Sequence, residues 1–268
     1  MNTISIKHSY NLGDAITILP GLQKIYMETG RKTIFMQRLD LPAYYYDEAV
    51  HPTKDKDGQQ VCMNEAAFNM LKPLLEAQVY IHSVVVWQGE KVDIDFDQSR
   101  DRKAVPMPYG SIHHWPWFIA PELSCDLSVP WIYAKTPQTL NPSMNIVVIN
   151  RTARYQNPYI HYFFLKKYES LLFFVGTVDE YIEFRDKWNL LNLNYLSVQD
   201  FYEMAVILGS AKGFIGNQSF AWHVADAMKI PRVLEYCSVF PNTHPTGANG
   251  EAALYQEALE LYVEKLFA

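Results

Sequence analysis

The chain has 268 residues and a net charge of −6, with 49% hydrophobic and 19% charged residues. At about 150 residues per domain, that allows one large domain or two small ones and excludes a disordered tail or a coiled coil. Cys62, Cys125 and Cys237 lie too far apart for a disulfide framework or a CxxC metal knuckle. No apolar run is long enough for a spanning helix. The opening MNTISIKHSYNLGDAITILP lacks the basic-then-apolar order of a signal peptide. A cytoplasmic chain without stable membrane insertion is therefore expected. The acidic balance disfavours general nucleic-acid coating. The aromatic content of 14% suits either a paved sugar or base site or a core of large side chains.

In chain order, residues 4–8 predict a strand. Residues 15–28 predict a helix with Ile16, Leu19, Leu22 and Tyr26 on one side. A strand over 32–36, a helix over 64–76 despite Pro73, and a strand over 79–87 follow. Residues 97–143 carry prolines and aromatics without a regular period. Pro130, Pro137 and Pro142 place a linker at 123–143. Beyond it, NIVVI (145–149), LLFFV (171–175), 193–196, GFI (213–215) and RVLEY (232–236) read as strands. Helices are expected over 178–188, from Val198 through Ala205, over 219–228, and over 250–267. This alternation predicts an α/β chain of two Rossmann-like, doubly wound halves facing a cleft. The halves are 1–122 and 144–268, with the terminal helix able to return to the first.

Ligands of open α/β sheets collect at the carboxyl ends of strands. The loop Tyr10-Asn11-Leu12-Gly13-Asp14 occupies such an end, with Gly13 placed for a tight turn. Asp14 could take the proton of an acceptor hydroxyl, or could simply cap the helix that begins at Ala15. Arg151, Thr152 and Arg154 follow NIVVI, where guanidinium forks suit a diphosphate. Asn217, Gln218 and Ser219 open a helix whose free N–H groups favour an anion. Gly176, Thr177 and Glu180 repeat the strand–turn–helix layout. Glu235 ends a strand within reach of ribose hydroxyls, and His223 lies within a helix, either as a ligand or as a core histidine.

These motifs, LGDAITILPGLQ near the start and GFIGNQSFAWHVADAMKIPRVLE near the end, resemble the heptosyltransferase-like GT-B glycosyltransferases. The resemblance implies an acceptor-binding first domain and a nucleotide-sugar-binding second one. It implies Asp14 as general base, inversion at the anomeric carbon, a UDP- or ADP-type sugar donor, and no required cofactor. The implied enzyme is a hexosyl- or pentosyltransferase with a saccharide acceptor. The sequence departs from the family at Gln218, where an acidic residue is more frequent.

Asp93, Asp95 and Asp97 in VDIDFD fall on one face of a strand. They resemble the D-x-D pair with which GT-A enzymes hold Mg²⁺ or Mn²⁺, and a solvated edge strand explains them equally well. In His113-His114-Trp115-Pro116-Trp117 no zinc set is complete. His114 and Trp115, together with Asn11 and Gly13 of the first loop, are candidates for contact with the acceptor. Two alternatives stay open: a phage-type transferase acting on hydroxymethylated pyrimidines in DNA, and a GT-B-like nucleotide or sugar binding module without turnover.

Overall fold

A computed structural model describes residues 2–43, 53–101, 110–135 and 144–268. The chain divides into two compact units. One comprises the described residues of 1–127 with 131–133 and 200–202, and the other the remainder.

The first unit is built on four parallel strands. They are β1 (Thr3–His8), β2 (Lys32–Gln37), β3 (Ile81–Val86) and β4 (Ile94–Asp95), in the order β3-β2-β1-β4. Helix α1 (Leu12–Thr29) connects β1 to β2, and α2 (Glu65–Glu76) precedes β3. The buried residues Ile4, Ile6, Leu19, Leu22, Phe35 and Val84 show why β-branched and aliphatic residues fill these elements. α1 starts three residues before its expected position because Asn11 is its N-cap, and Gly30, at φ 70°, ends it. Asp14 is therefore not the cap. It is the N3 residue of a capping box, its carboxylate accepting from the Asn11 N–H at 3.2 Å. Gly13 lies in helical backbone rather than in a tight turn. Pro20 sits inside α1 and has no N–H to give to the carbonyl four residues back. The indole Nε1 of Trp131 donates to that Ile16 carbonyl at 3.2 Å. Trp131, placed by sequence in the linker, is thus a fully buried part of the first unit. Residues 136–143 of the expected linker lie outside the described residues.

The 93–97 run is not one strand. β4 holds two residues, and the chain then turns into a 3-10 helix, Phe96–Arg100. A second 3-10 turn, Ile112–His114, leads into the short helix α3 (Trp115–Ile119).

The second unit carries six parallel strands in the order β10-β9-β8-β5-β6-β7. These are β5 (Met144–Asn150), β6 (Leu172–Val175), β7 (Asn194–Leu196), β8 (Ala211–Gly216), β9 (Arg232–Glu235) and β10 (Gly250–Ala253). Helices α4 (Val178–Lys187), α5 (Phe201–Ser210), α6 (Phe220–Met228) and α7 (Gln256–Phe267) complete it. Val198 lies outside α5. The helix expected from residue 250 begins at Gln256, because residues 250–253 instead pair in parallel with β9. α7 then lays Leu259, Val263 and Leu266 into the same core as Val147, Phe174 and Ile215 of the second unit.

Both sheets contain a reversal of strand order. In the first, β2 and β3 run out on one side of β1 and β4 takes the other. In the second, β6 and β7 lie on one side of β5, and β8 to β10 on the other. Such switch points leave room for a ligand outside the carboxyl ends of the two diverging strands. At the second one, Gly216 is needed for close approach. A Cβ there would stand 2.5 Å from the Asn150 carbonyl oxygen and 2.8 Å from the Phe214 ring. Gly216→Ala should therefore cost about 1–3 kcal/mol through overpacking, read as a lower urea midpoint. An unchanged midpoint would mean that β5 and β8 separate freely at this end.

Candidate active site

At the switch point of the first sheet a small cavity open to solvent lies among His8, Tyr10, Asp14, Arg100 and Trp115, with Thr17, Phe96 and Ile112 also in its wall. The topology explains this gathering. His8 ends β1, Asp14 lies in the first turn of α1, and Arg100 ends the 3-10 turn that follows β4. Arg100 Nη2 is paired with Asp14 Oδ1. The guanidinium lies 4.4 Å from the Trp115 ring centroid and 5.4 Å from that of Tyr10, close enough for cation–π attraction. Both oxygens of Asp14 are engaged, Oδ1 by Arg100 and Oδ2 by the Asn11 N–H.

His8 is buried at the back of this group, with Phe35 and Tyr10 against its ring. Its Nδ1 meets Gln37 Oε1 at 2.8 Å. Gln37 Nε2 donates to the Arg38 carbonyl, which fixes the amide so that Oε1 is the acceptor. Nδ1 therefore carries the hydrogen and Nε2 the lone pair. Nε2 is buried without a hydrogen-bond partner, an arrangement that costs about 1–3 kcal/mol. Burial pulls the imidazole pKa below 6.5, against the Gln37 bond and the charges of Asp14 and Asp97. Tyr10 is pushed up to about 12, first by burial and then by Asp97. At neutral pH His8 is uncharged and Tyr10 protonated.

The three aspartates of VDIDFD do not converge. Asp93 accepts from the N–H and hydroxyl of Ser5 at 2.8 and 2.9 Å. Asp95 and Asp97 share the Lys7 ammonium at 3.2 and 2.7 Å. Burial alone would lower the Lys7 pKa, but these two carboxylates outweigh it and raise it. Among the described residues no group of His, Cys, Asp or Glu has the layout of a metal site. In the His-His-Trp segment the histidines face apart. His113 is buried edge-on to Trp131, while exposed His114 lies over Trp117 at 4.6 Å. Trp115 lines the cavity, and His114 is not among the cavity-lining residues.

The expected donor residues do gather at the carboxyl edge of the second sheet, yet several are spent on one another. Arg151 and Glu235 form a buried two-pronged pair, Nε to Oε2 at 2.6 Å and Nη2 to Oε1 at 2.8 Å. Glu235 also accepts from the Asn157 N–H at 2.5 Å and the Tyr162 hydroxyl at 2.8 Å. It has no exposed surface for a ribose. Asn217 is equally committed: Oδ1 takes the Thr152 N–H, and Nδ2 gives to the carbonyls of Thr152 and Arg154. These bonds fix the loop after β5. Thr177 and Glu180 cap α4 reciprocally, and burial raises the Glu180 pKa despite that bond. Tyr195 donates its hydroxyl to the Gly176 carbonyl. Ser219 is the N-cap of α6, accepting from the Trp222 N–H, and His223 is buried on that helix. Gln218 donates to Asn242 at 2.6 Å. Arg154 lies half-buried with its guanidinium 5.2 Å over the Tyr155 ring.

His8 and Arg100 line this cavity without having been singled out in the sequence, and Tyr10 was named there only as part of the loop. His8 left a faint signal, as a polar residue closing an apolar strand one step before a loop. Arg100 was hidden in the 97–143 stretch, which shows no regular period in the sequence.

No protein-family profile matches the chain, and no curated protein sequence does. Solved structures do. E. coli heptosyltransferase WaaC, in complex with ADP-2-deoxy-2-fluoro heptose, matches 98% of this chain over 99% of its own, with a TM-score of 0.62 at 12% identity. E. coli ADP-heptose LPS heptosyltransferase II matches 99% over 98%, with a TM-score of 0.59 at 12% identity. A family 9 glycosyl transferase from Veillonella parvula matches 98% over 88%, with a TM-score of 0.58 at 11% identity. The chain has the heptosyltransferase-like GT-B fold. Among the described residues no helix is long and apolar enough to cross a membrane.

Proposed function

We propose that this protein moves a sugar from a nucleotide-sugar donor to the hydroxyl of a saccharide acceptor, with inversion, without a metal, and in the cytoplasm. One observation carries the reading. Asp14 and Arg100 meet in a cavity at the switch point of the first sheet, in a chain that follows a heptosyltransferase fold along 98% of its length. In this reading the acceptor enters that cavity and Trp115 covers an apolar sugar face. Asp14 takes the proton of the acceptor hydroxyl as general base. The donor diphosphate is held in the second unit by Arg154 and the N-terminal turn of α6, where N–H groups and the helix dipole favour an anion. Arg151, Glu235 and Asn217 serve that unit by fixing the loop after β5 rather than by touching the donor. The bond to the anomeric carbon forms as the nucleoside diphosphate departs, its charge stabilised at the same turn.

The E. coli neighbour was solved with an ADP-sugar analogue, so ADP-sugars are the first donors to try, followed by UDP-sugars. One nucleoside diphosphate in the series ADP, UDP, GDP and CDP should stabilise the protein by about 2.7 kcal/mol at a hundred times its Kd. The matching nucleotide sugar should be consumed. A chain that none of the four stabilises, and that turns over no nucleotide sugar, is not a transferase of this kind.

A further inference from the structure

Most polar groups in the wall of the first-unit cavity are already taken or sealed. The Thr17 hydroxyl donates to the Asp14 carbonyl at 2.8 Å, and the Ser99 hydroxyl to the Phe96 carbonyl at 2.7 Å. His8 Nε2 and Trp115 Nε1 are closed off from solvent. Asp14 holds Arg100 and the Asn11 N–H, and its oxygens keep lone pairs for a further donor. Arg100 has N–H groups beyond the one on Asp14, but that pairing tethers it. The Tyr10 hydroxyl differs from all of these. It belongs to the cavity wall, bonds to none of the described residues and is not sealed. Its ring is held on two sides, edge-on to His8 with centroids 6.2 Å apart and 5.4 Å from the Arg100 guanidinium. A ring held in this way presents its hydroxyl at one place, so little freedom is lost when a ligand binds.

We propose that Tyr10 selects which hydroxyl of the acceptor reacts, donating its hydrogen to the sugar oxygen adjacent to the one that Asp14 deprotonates. The proposal rests on the transferase reading above, with Asp14 as base. The acceptor it implies is a sugar with two adjacent free hydroxyls. Each of those hydroxyls can give or accept a hydrogen bond, whereas a carboxylate only accepts. Asp14 alone would therefore take either member of the pair. A phenol donor at a fixed place in the same wall breaks that symmetry. The oxygen that accepts from Tyr10 is held, and its neighbour is left to give its proton to Asp14. That neighbour's electron pair then bonds to the anomeric carbon. The bond from this carbon to the diphosphate oxygen breaks, and its pair leaves with the nucleoside diphosphate. Tyr10 keeps its own proton throughout. Burial first, and the Asp97 charge next, push its pKa up to about 12, so it remains a donor at any working pH.

The test uses the full chain and the donor found by the nucleotide panel. The acceptors are methyl glycosides of glucose, galactose and mannose, with their monodeoxy analogues. Tyr10→Phe keeps the ring against His8 and Arg100 and removes only the hydroxyl. It should lower kcat/KM for the accepted glycoside about tenfold, the effect of one neutral hydrogen bond. Stabilisation by the nucleoside diphosphate should stay as in wild type. Deleting the adjacent oxygen from the glycoside should cost wild type the same factor and the variant nothing more. Wild type should form one regioisomer, and the variant a mixture. A tyrosine with a merely structural role would slow every glycoside alike and leave the product unchanged. Losses that multiply overturn the proposal, as does a variant with the wild-type rate and a single product. A wild type that splits the nucleotide sugar in water yet glycosylates none of the panel also overturns it, and leaves the donor half of the transferase reading standing. A wild type that consumes no nucleotide sugar removes the reading itself, and the role of Tyr10 goes with it.

Discussion

Replacing Glu235 by alanine is expected to cost about 3–5 kcal/mol of folding free energy, because it strands a buried charge. Arg151 and Glu235 have side chains 4% and 0% exposed. Burial alone would lower the Arg151 pKa, and the Glu235 carboxylate overcomes this and raises it. The same carboxylate satisfies the Asn157 N–H and the Tyr162 hydroxyl. Burial beside this negative charge drives the Tyr162 pKa well above its usual value. The alanine variant leaves three donor groups facing an apolar void at once. With total stability on the order of 5–15 kcal/mol, much of the fold's margin goes with it. Urea unfolding followed by tryptophan fluorescence reads the loss. A double variant, Arg151→Met with Glu235→Leu, removes both charges and should recover most of it, since apolar replacements of buried ion pairs are often near neutral.

The outcome also decides a functional question. If Glu235→Ala costs less than about 1 kcal/mol, the range of an exposed pair, the two side chains are loose enough to be ligands. A large cost confirms that they hold β5, β9 and the 157 region together. Donor contacts then fall to Arg154 and the start of α6. Both expectations begin from the same rule about strand ends. The physical difference is that a carboxyl-end position can serve a ligand or stitch the edge, and sequence does not say which partner lies across the sheet.

That distinction runs through the whole chain. The alternation of NIVVI, LLFFV, GFI and RVLEY was legible because strands buried on both faces need continuous apolar runs. Asp14 was legible as a strand-end acid, though its place as N3 of a capping box was not. That depended on whether the helix began at Leu12 or Ala15, a boundary local pattern leaves open. β10 was unreadable because Gly250–Ala253 has no strand character of its own and is a strand only through β9. His8 and Arg100 meet through the pairing of β1 with β4, whose registers join residues 88 apart in sequence, Ile6 with Ile94 and Lys7 with Asp95. No spacing rule connects such residues.

Asp14→Asn should lower kcat on the order of 10²–10⁴-fold, the range of a lost acid–base partner. The substitution is nearly isosteric. Asparagine's oxygen can still accept the Asn11 N–H, so the start of α1 keeps its cap. What disappears is the charge facing Arg100 and His8. Arg100 is 27% exposed and reaches water when its partner goes, so the stability loss should fall between exposed and buried ion pairs, about 1–2 kcal/mol. The signature is therefore a large fall in turnover against a small fall in stability, with binding of the nucleoside diphosphate unchanged. Arg100→Met makes the complementary comparison. It takes the guanidinium away from Asp14 Oδ1 and removes the positive charge that opposes protonation of His8. The His8 imidazole should then titrate at higher pH, read by NMR of its ring protons, because an unopposed pair of carboxylates raises its pKa. A His8 titration that stays in place in Arg100→Met, together with full turnover in Asp14→Asn, would assign this cavity no part in the chemistry.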